Sequence, residues 1–89
     1  MSQALSIKDI EKLPPKEAIE ILDTYLKTNP KDEEAYILRG MNQWKLNNTK
    51  AAIDDYLSAL EINPESRAKT LLDYTTSILD FYSKDLLNP

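Results

Sequence analysis

The sequence predicts an all-α fold, a right-handed solenoid of helical hairpins with about five antiparallel helices. Three observations lead to this prediction: the 89 residues include one glycine, Asn-Pro pairs interrupt the chain, and one segment recurs after 34 residues. So few glycines suit helices joined by short turns better than a turn-rich β fold. A period of about 34 residues is typical of stacked helix–turn–helix units.

The repeat is marked by Asn29-Pro30 and Asn63-Pro64, which lie 34 residues apart. Shifting residues 16–30 by this interval aligns six identical residues in fifteen positions, several times the number that chance would give. The shift therefore indicates two related helical units in one chain.

Turn and capping residues divide the chain into five predicted helices. The first covers about residues 2–12 and is ended by Pro14-Pro15, because proline lacks an N–H and disfavours helix in the preceding residue. Pro15 then suits the first turn of the second helix, which Asn29-Pro30 ends.

The later helix boundaries also carry side-chain signals. Asp32 is a suitable N-cap for the third helix, and Thr49 is the predicted N-cap of the fourth. The fourth helix is expected to end at Asn63-Pro64. Ser66 is the predicted cap of a last helix that reaches about Leu87.

Apolar residues at helical spacing predict which side of each helix is buried. The predicted inward residues are Leu5, Ile10, Leu13, Ala18, Ile19, Leu22, Tyr25, Leu26, Ala52, Ile53, Tyr56, Leu57, Leu60, Ala68, Leu71, Leu72, Leu79, Tyr82 and Leu86. Tyr74, Ile78 and Phe81 widen the apolar surface of the last helix. The aromatic residues of that helix, Tyr74, Phe81 and Tyr82, belong either to core and rim or to a surface that binds a partner.

Acidic residues are predicted to lie on solvated helix faces. Asp54 and Asp55 are adjacent, so their side chains point about 100° apart and cannot converge on one metal ion or act as a paired acid and base. Asp23 and Lys27 are expected to form a favourable i, i+4 ion pair.

Composition excludes several classes of function. The net charge is −4 and the basic residues are scattered, which disfavours nucleic-acid binding. The chain has no cysteine and no histidine, and so lacks a thiolate nucleophile, the commonest general base and the commonest metal ligands. We therefore expect no enzymatic activity, no metal and no cofactor.

Targeting signals are also missing from the sequence. The first residues lack a basic region followed by an apolar run, and no apolar stretch approaches the roughly 20 residues that span a bilayer. We therefore expect a cytoplasmic protein without membrane contact.

Residues 33–66 resemble a tetratricopeptide repeat. The resemblance rests on six residues at the family's characteristic spacing, namely Tyr36, Gly40, Ala52, Tyr56, Ala59 and Pro64. It implies that the small residues allow the two helices to approach closely, that the tyrosines fill the space around the crossing, and that Pro64 turns the chain into the next helix. Arg39 and Gln43 stand where the family's pattern prefers leucine and tyrosine.

The resemblance also implies a division of residues 1–89 within a single domain. Residues 1–32 are expected to form a degenerate repeat, residues 33–66 a well-matched repeat, and residues 67–89 a C-terminal capping helix.

In this family the first helix of each repeat lines a concave groove that holds a partner segment. The resemblance places Glu34, Ile37, Met41, Trp44 and Lys45 in such a groove. Ile37, Met41 and Trp44 lie in one stripe along the helix. One interpretation is a binding groove anchored by Trp44, with Arg39 at its rim, and the other is that the stripe belongs to the core.

The resemblance therefore implies a protein-interaction or scaffold module that binds a peptide or protein segment. The alternative is a structural homo-oligomer that uses the same apolar surface.

Overall fold

The computed structural model describes the backbone of residues 7–87 and the side chains of residues 9–79. This part of the chain contains five helices and no strand: α1 (Ile7–Glu11), α2 (Pro15–Thr28), α3 (Glu33–Lys45), α4 (Thr49–Ile62) and α5 (Ala68–Leu87). Consecutive helices pack against each other, and the contact between α3 and α4 is the most extensive. The predicted all-α arrangement of helical hairpins is confirmed.

Several predicted features of the chain ends lie outside the described residues. These are the start of the first helix and the side chains of Leu5, Phe81, Tyr82 and Leu86.

Capping side chains set most of the helix boundaries. Asp32 is the N-cap of α3, as predicted, and its Oδ1 accepts a hydrogen bond from the Ala35 N–H at 3.2 Å. Ser66 also acts as predicted, because its Oγ accepts from the Ala68 N–H at 3.0 Å. These bonds satisfy backbone donors that have no partner within the first turn of a helix.

The predicted cap of α4 was wrong by one residue. Thr49 is the first helical residue and Asn48 occupies the N-cap position, where its Nδ2 donates to Gln43 Oε1 at 2.9 Å. Asn47 takes a φ of 65°, a left-handed conformation that asparagine tolerates better than threonine does. The tight turn thus uses both asparagines before the helix starts.

The core divides into two clusters on either side of α3. The first contains Ile10, Ala18, Leu22, Leu26, Ala35 and Leu38. The second contains Ile37, Ala52, Tyr56, Ala59 and Ala68. Tyr36 packs against both clusters, so α3 is the central helix of the described structure.

Two leucines that were expected in the core are exposed. Leu57 is 47% exposed because it lies about 100° around α4 from the buried Tyr56. Leu79 is 38% exposed. The main packing partner of α5 is α4, so between residues 68 and 79, where its side chains are described, only a narrow face of this helix is covered.

Gly40 lies at a close approach of α3 to α4. A Cβ at this position would lie 2.7 Å from Tyr56 Cε1, 2.9 Å from Tyr56 Cδ1 and 3.2 Å from Asp55 Cβ. The Tyr56 ring is 2% exposed and cannot swing into solvent. Glycine is therefore required here for the space it leaves rather than for its backbone freedom.

Arg39 connects three helices through its guanidinium group. Its Nη2 lies 2.7 Å from Asp55 Oδ1 on α4, its Nε lies 3.0 Å from Asp55 Oδ2, and its Nη1 lies 2.9 Å from Asp23 Oδ1 on α2. The guanidinium also stands 5.7 Å from the centre of the Tyr36 ring, within reach of a cation–π attraction. Arg39 thus faces α2 and α4 and does not lie at the rim of a groove.

The charge predictions for these aspartates were partly wrong. Asp55 is 4% exposed rather than solvated, whereas Asp54 is exposed and lies 3.4 Å from Lys50 Nζ. Asp23 pairs with Arg39 instead of Lys27. Burial raises the pKa of Asp55, and its hydrogen bonds with Arg39 oppose that rise.

Replacing Gly40 with alanine is expected to destabilise the protein by at least about 1 kcal/mol, because overpacking outweighs the gain of about 1 kcal/mol in helix propensity. Urea unfolding gives the free energy directly. Tyr56→Leu in the Gly40→Ala background should cost less than Tyr56→Leu alone, since it removes the ring that the new methyl group meets. A Gly40→Ala protein as stable as the wild type would contradict the tight contact.

Replacing Arg39 with methionine is expected to cost about 3–5 kcal/mol at pH 7, because it leaves a buried carboxylate unpaired. The control Asp23→Ala should cost below about 1 kcal/mol, since Asp23 is half-exposed.

The cost of Arg39→Met should also depend on pH. Without arginine the pKa of Asp55 rises further, and a group with a raised folded-state pKa stabilises the fold at low pH and loses that contribution as pH rises. Urea unfolding from pH 7 to pH 4 should therefore show the cost shrinking on acidification. A cost that is unchanged with pH would contradict a buried, ionised Asp55.

Candidate functional site

A pocket of about 140 Å³ lies between α3 and α5 and is called here the α3–α5 pocket. Its lining is Met41, Trp44 and Lys45 from α3, Tyr56 from α4, and Leu71, Tyr74 and Thr75 from α5. Apart from Lys45 and Thr75, these side chains are aromatic or aliphatic. The pocket is therefore suited to an apolar side chain rather than to a charged group.

Two aromatic rings form one wall of this pocket. Trp44 and Tyr74 meet edge to face, with ring centres 6.4 Å apart and planes at 69°. Trp44 is half-buried against the core, whereas Tyr74 is 61% exposed. An aromatic residue with this much exposed surface beside a pocket is typical of binding surfaces, where tyrosine supplies contact area at low entropic cost.

Polar contacts at the start of α5 hold this helix beside α3. Asn63 Nδ2 donates to Glu33 Oε1 at 3.1 Å, and the Arg67 guanidinium pairs with the Glu34 carboxylate. Hydrogen bonds from Ser66 and Asn63 lower the pKa of Glu33. The turn between α4 and α5 is thereby fixed to the first turn of α3, which sets the position of the pocket walls.

A second pocket, of about 210 Å³, lies between α1 and α3 and is called here the α1–α3 pocket. Glu11, Leu38, Met41, Asn42 and Lys45 line it. Met41 and Lys45 therefore belong to both pockets and form a ridge between them. On one side of this ridge the α3–α5 pocket is mainly apolar, and on the other side the α1–α3 pocket is more polar.

Of the five residues that were predicted to line a groove, three line the α3–α5 pocket and two do not. Met41, Trp44 and Lys45 line the α3–α5 pocket. Ile37 is 0% exposed, so its assignment to an open groove was wrong. It packs with Ala68 in the second core cluster, because the first turn of α5 covers this position.

Glu34 lies toward the first turn of α3, at the opposite end from Lys45. Its carboxylate pairs with Arg67 and does not line either pocket.

The residues that carry the repeat resemblance lie where α3 and α4 meet and at the turn that follows. Ala52 and Ala59 are completely buried, and the Tyr36 hydroxyl donates to the Pro30 carbonyl oxygen at 3.0 Å. Pro64 lies in the turn after α4. Gly40 and Tyr56 form the close contact described above.

Sequence reasoning missed several polar residues that are buried, among them Asp55 and Asn42. Asp55 occupies the same side of α4 as Ala52 and Ala59, at spacings of three and four residues, so the charge stands within an apolar stripe that the sequence already displays. Asn42 follows the buried Leu38 by four residues and is 7% exposed. A polar residue in line with buried residues is the signal that identifies both positions.

Sequence comparison identifies a family for the central part of the chain. Residues 33–66 match the family model described as tetratricopeptide repeat. No curated protein and no solved structure matched the chain.

Two further kinds of feature are absent from the part of the chain that the structure describes. None of its helices combines the length and the apolar character that crossing a membrane requires. The same part of the chain contains no group of three or more acidic side chains placed to hold a metal ion.

Replacing Tyr74 with alanine is expected to lower stability by no more than about 1.5 kcal/mol, because mainly the ring contact with Trp44 is lost. Trp44 is the single tryptophan, so its emission reports on this pocket alone. We expect the emission maximum to move to longer wavelength as the indole becomes hydrated. The control Leu57→Ala, on the exposed side of α4, should leave the emission unchanged, and an unchanged emission in Tyr74→Ala would contradict the ring contact.

Proposed function

We propose that this chain, whose residues 33–66 match the tetratricopeptide-repeat family, binds a segment of another protein across α3, with an apolar side chain of that segment in the α3–α5 pocket. Tetratricopeptide repeats generally mediate protein–protein interaction and generally carry no catalysis. The observation that carries the proposal is the exposed Tyr74 ring beside an apolar pocket walled by Trp44.

The chemistry of the pocket supports an apolar anchor. Met41 has a flexible and polarisable side chain that adapts to different occupants, and aromatic residues dominate the energy of protein interfaces. Lys45 lies at the pocket edge and is exposed, so its ammonium group is free to contact the main chain or an acidic residue of the partner.

The proposal also uses the arrangement of the chain around the matched repeat. Residues 1–32 act as a degenerate repeat that supports α3 from one side. Residues 67–89 act as a capping helix that supplies the second wall of the pocket. One complete repeat and its two neighbours are then sufficient to form one binding surface.

A second copy of the chain is the alternative occupant of this surface. The apolar surface exposed by Tyr74 and Leu79 on α5 favours this candidate. Sedimentation velocity at several concentrations separates the two functions. A monomer at all concentrations excludes the homo-oligomer, and a dimer that Tyr74→Ala dissociates replaces the proposed function.

Selection from a random peptide library on the wild-type protein provides the test. We expect the selected peptides to share a large apolar residue and to quench or shift the Trp44 emission when they bind. Tyr74→Ala should weaken their binding by about tenfold, the effect of losing an interface contact worth a little over 1 kcal/mol.

Leu57→Ala is the matched control, because Leu57 is also an exposed apolar residue but lies on α4 away from both pockets. Its peptide affinity should stay within about twofold of the wild type. Failure to enrich any peptide, or equal effects of Tyr74→Ala and Leu57→Ala, would argue against this site.

A further inference from the structure

The α1–α3 pocket contains a buried polar side chain that is only partly satisfied. Asn42 is 7% exposed, and its Nδ2 donates to the Leu38 carbonyl oxygen at 2.8 Å. That bond fixes the orientation of the amide, because a flipped amide would place two oxygens against each other. Among the described residues, no donor is bonded to Asn42 Oδ1.

The unpartnered oxygen of Asn42 is not fully enclosed by the protein. No side-chain polar atom among the described residues is both fully enclosed and without a partner, so Oδ1 must reach the surface. Asn42 is nine-tenths buried and is one of the residues that line the α1–α3 pocket. The pocket lining therefore includes a side chain whose oxygen has no donor among the described residues and can accept a hydrogen bond from a ligand.

The charges around this acceptor favour a neutral donor. Glu11 at the end of α1 and Lys45 at the end of α3 both line the pocket and carry opposite charges. A cation would be attracted by Glu11 and repelled by Lys45. An anion would be repelled by Glu11 and attracted by Lys45. An amide N–H meets no such conflict and pairs directly with Oδ1.

The ridge formed by Met41 and Lys45 relates this acceptor to the apolar pocket. Because both residues line both pockets, the pockets are adjacent, and a segment that has a side chain in the α3–α5 pocket and crosses the ridge reaches the α1–α3 pocket with its main chain. We propose that Asn42 Oδ1 accepts a hydrogen bond from a main-chain N–H of the bound segment, so that this pocket recognises peptide backbone. This inference rests on the proposed function.

An amide-to-ester scan of a selected peptide tests the inference, since an ester removes one N–H donor without adding bulk. One position along the peptide should lose at least about tenfold in affinity for the wild type, because the ester leaves the Asn42 acceptor unpaired. In Asn42→Ala the same ester should cost less than about twofold. Equal losses in wild type and Asn42→Ala at every position would overturn the proposal.

Glu11→Gln distinguishes a neutral amide from a cationic side chain. The substitution keeps the shape of the side chain and removes its charge, so binding of a main-chain amide should change by less than about twofold. A loss of about tenfold or more would overturn the proposal and indicate a lysine or arginine of the peptide in the pocket.

A measurement on the wild-type protein keeps the test valid if Asn42→Ala fails to fold. The side-chain amide resonances of Asn42 should shift when the parent peptide binds and should stay near their free positions with the critical ester peptide. The same shift with both peptides would overturn the inference. Peptides whose binding is weakened by Tyr74→Ala but which show no Asn42-dependent ester effect would overturn this inference alone. The absence of any peptide binding would overturn the proposed function itself.

Discussion

The close approach of α3 to α4 at Gly40 is the contact on which the described structure depends. Only a residue without a side chain fits against the buried Tyr56 ring. The same ring lines the α3–α5 pocket, so one contact both joins the central hairpin and forms part of the proposed binding surface. The packing of α3 against α4 and the wall of the α3–α5 pocket therefore depend on the same Tyr56 ring.

Polar contacts fix the helices around this central pair. On one side Arg39 joins α3 to Asp23 on α2 and to Asp55 on α4. At the first turn of α3, Glu33 and Glu34 hold the turn that leads into α5. Because none of these residues lines either pocket, the ridge residues Met41 and Lys45 remain available to a partner.

The fold class and most helix boundaries could be predicted from the sequence. The Asn-Pro pairs, Asp32 and Ser66 act locally, so their effects depend only on neighbouring residues. The sides that helices bury were predicted less well. From the spacing of apolar residues, Leu57 was predicted to lie in the core and Ile37 was predicted to lie in a groove. Both predictions were wrong, because the spacing within one helix does not show which neighbouring helix covers each of its faces.

The candidate site was only partly visible in the sequence for the same reason. Trp44 and Met41 were recognisable as a stripe on α3. The proposed roles of Tyr74, Asn42 and Glu11 depend on α1 and α5 packing beside α3, which no local pattern encodes. The cytoplasmic location stays a prediction, as does the division into a degenerate repeat, a matched repeat and a cap.

Methyl NMR of Met41 tests the central claim most directly. The chain has two methionines, Met1 and Met41, so selective methyl labelling gives a spectrum in which the ridge between the two pockets has its own signal. We predict that a binding peptide shifts the Met41 methyl resonance to saturation and gives nuclear Overhauser effects between that methyl group and the peptide. An unperturbed Met41 signal, while residues on the exposed side of α4 shift instead, would contradict the account.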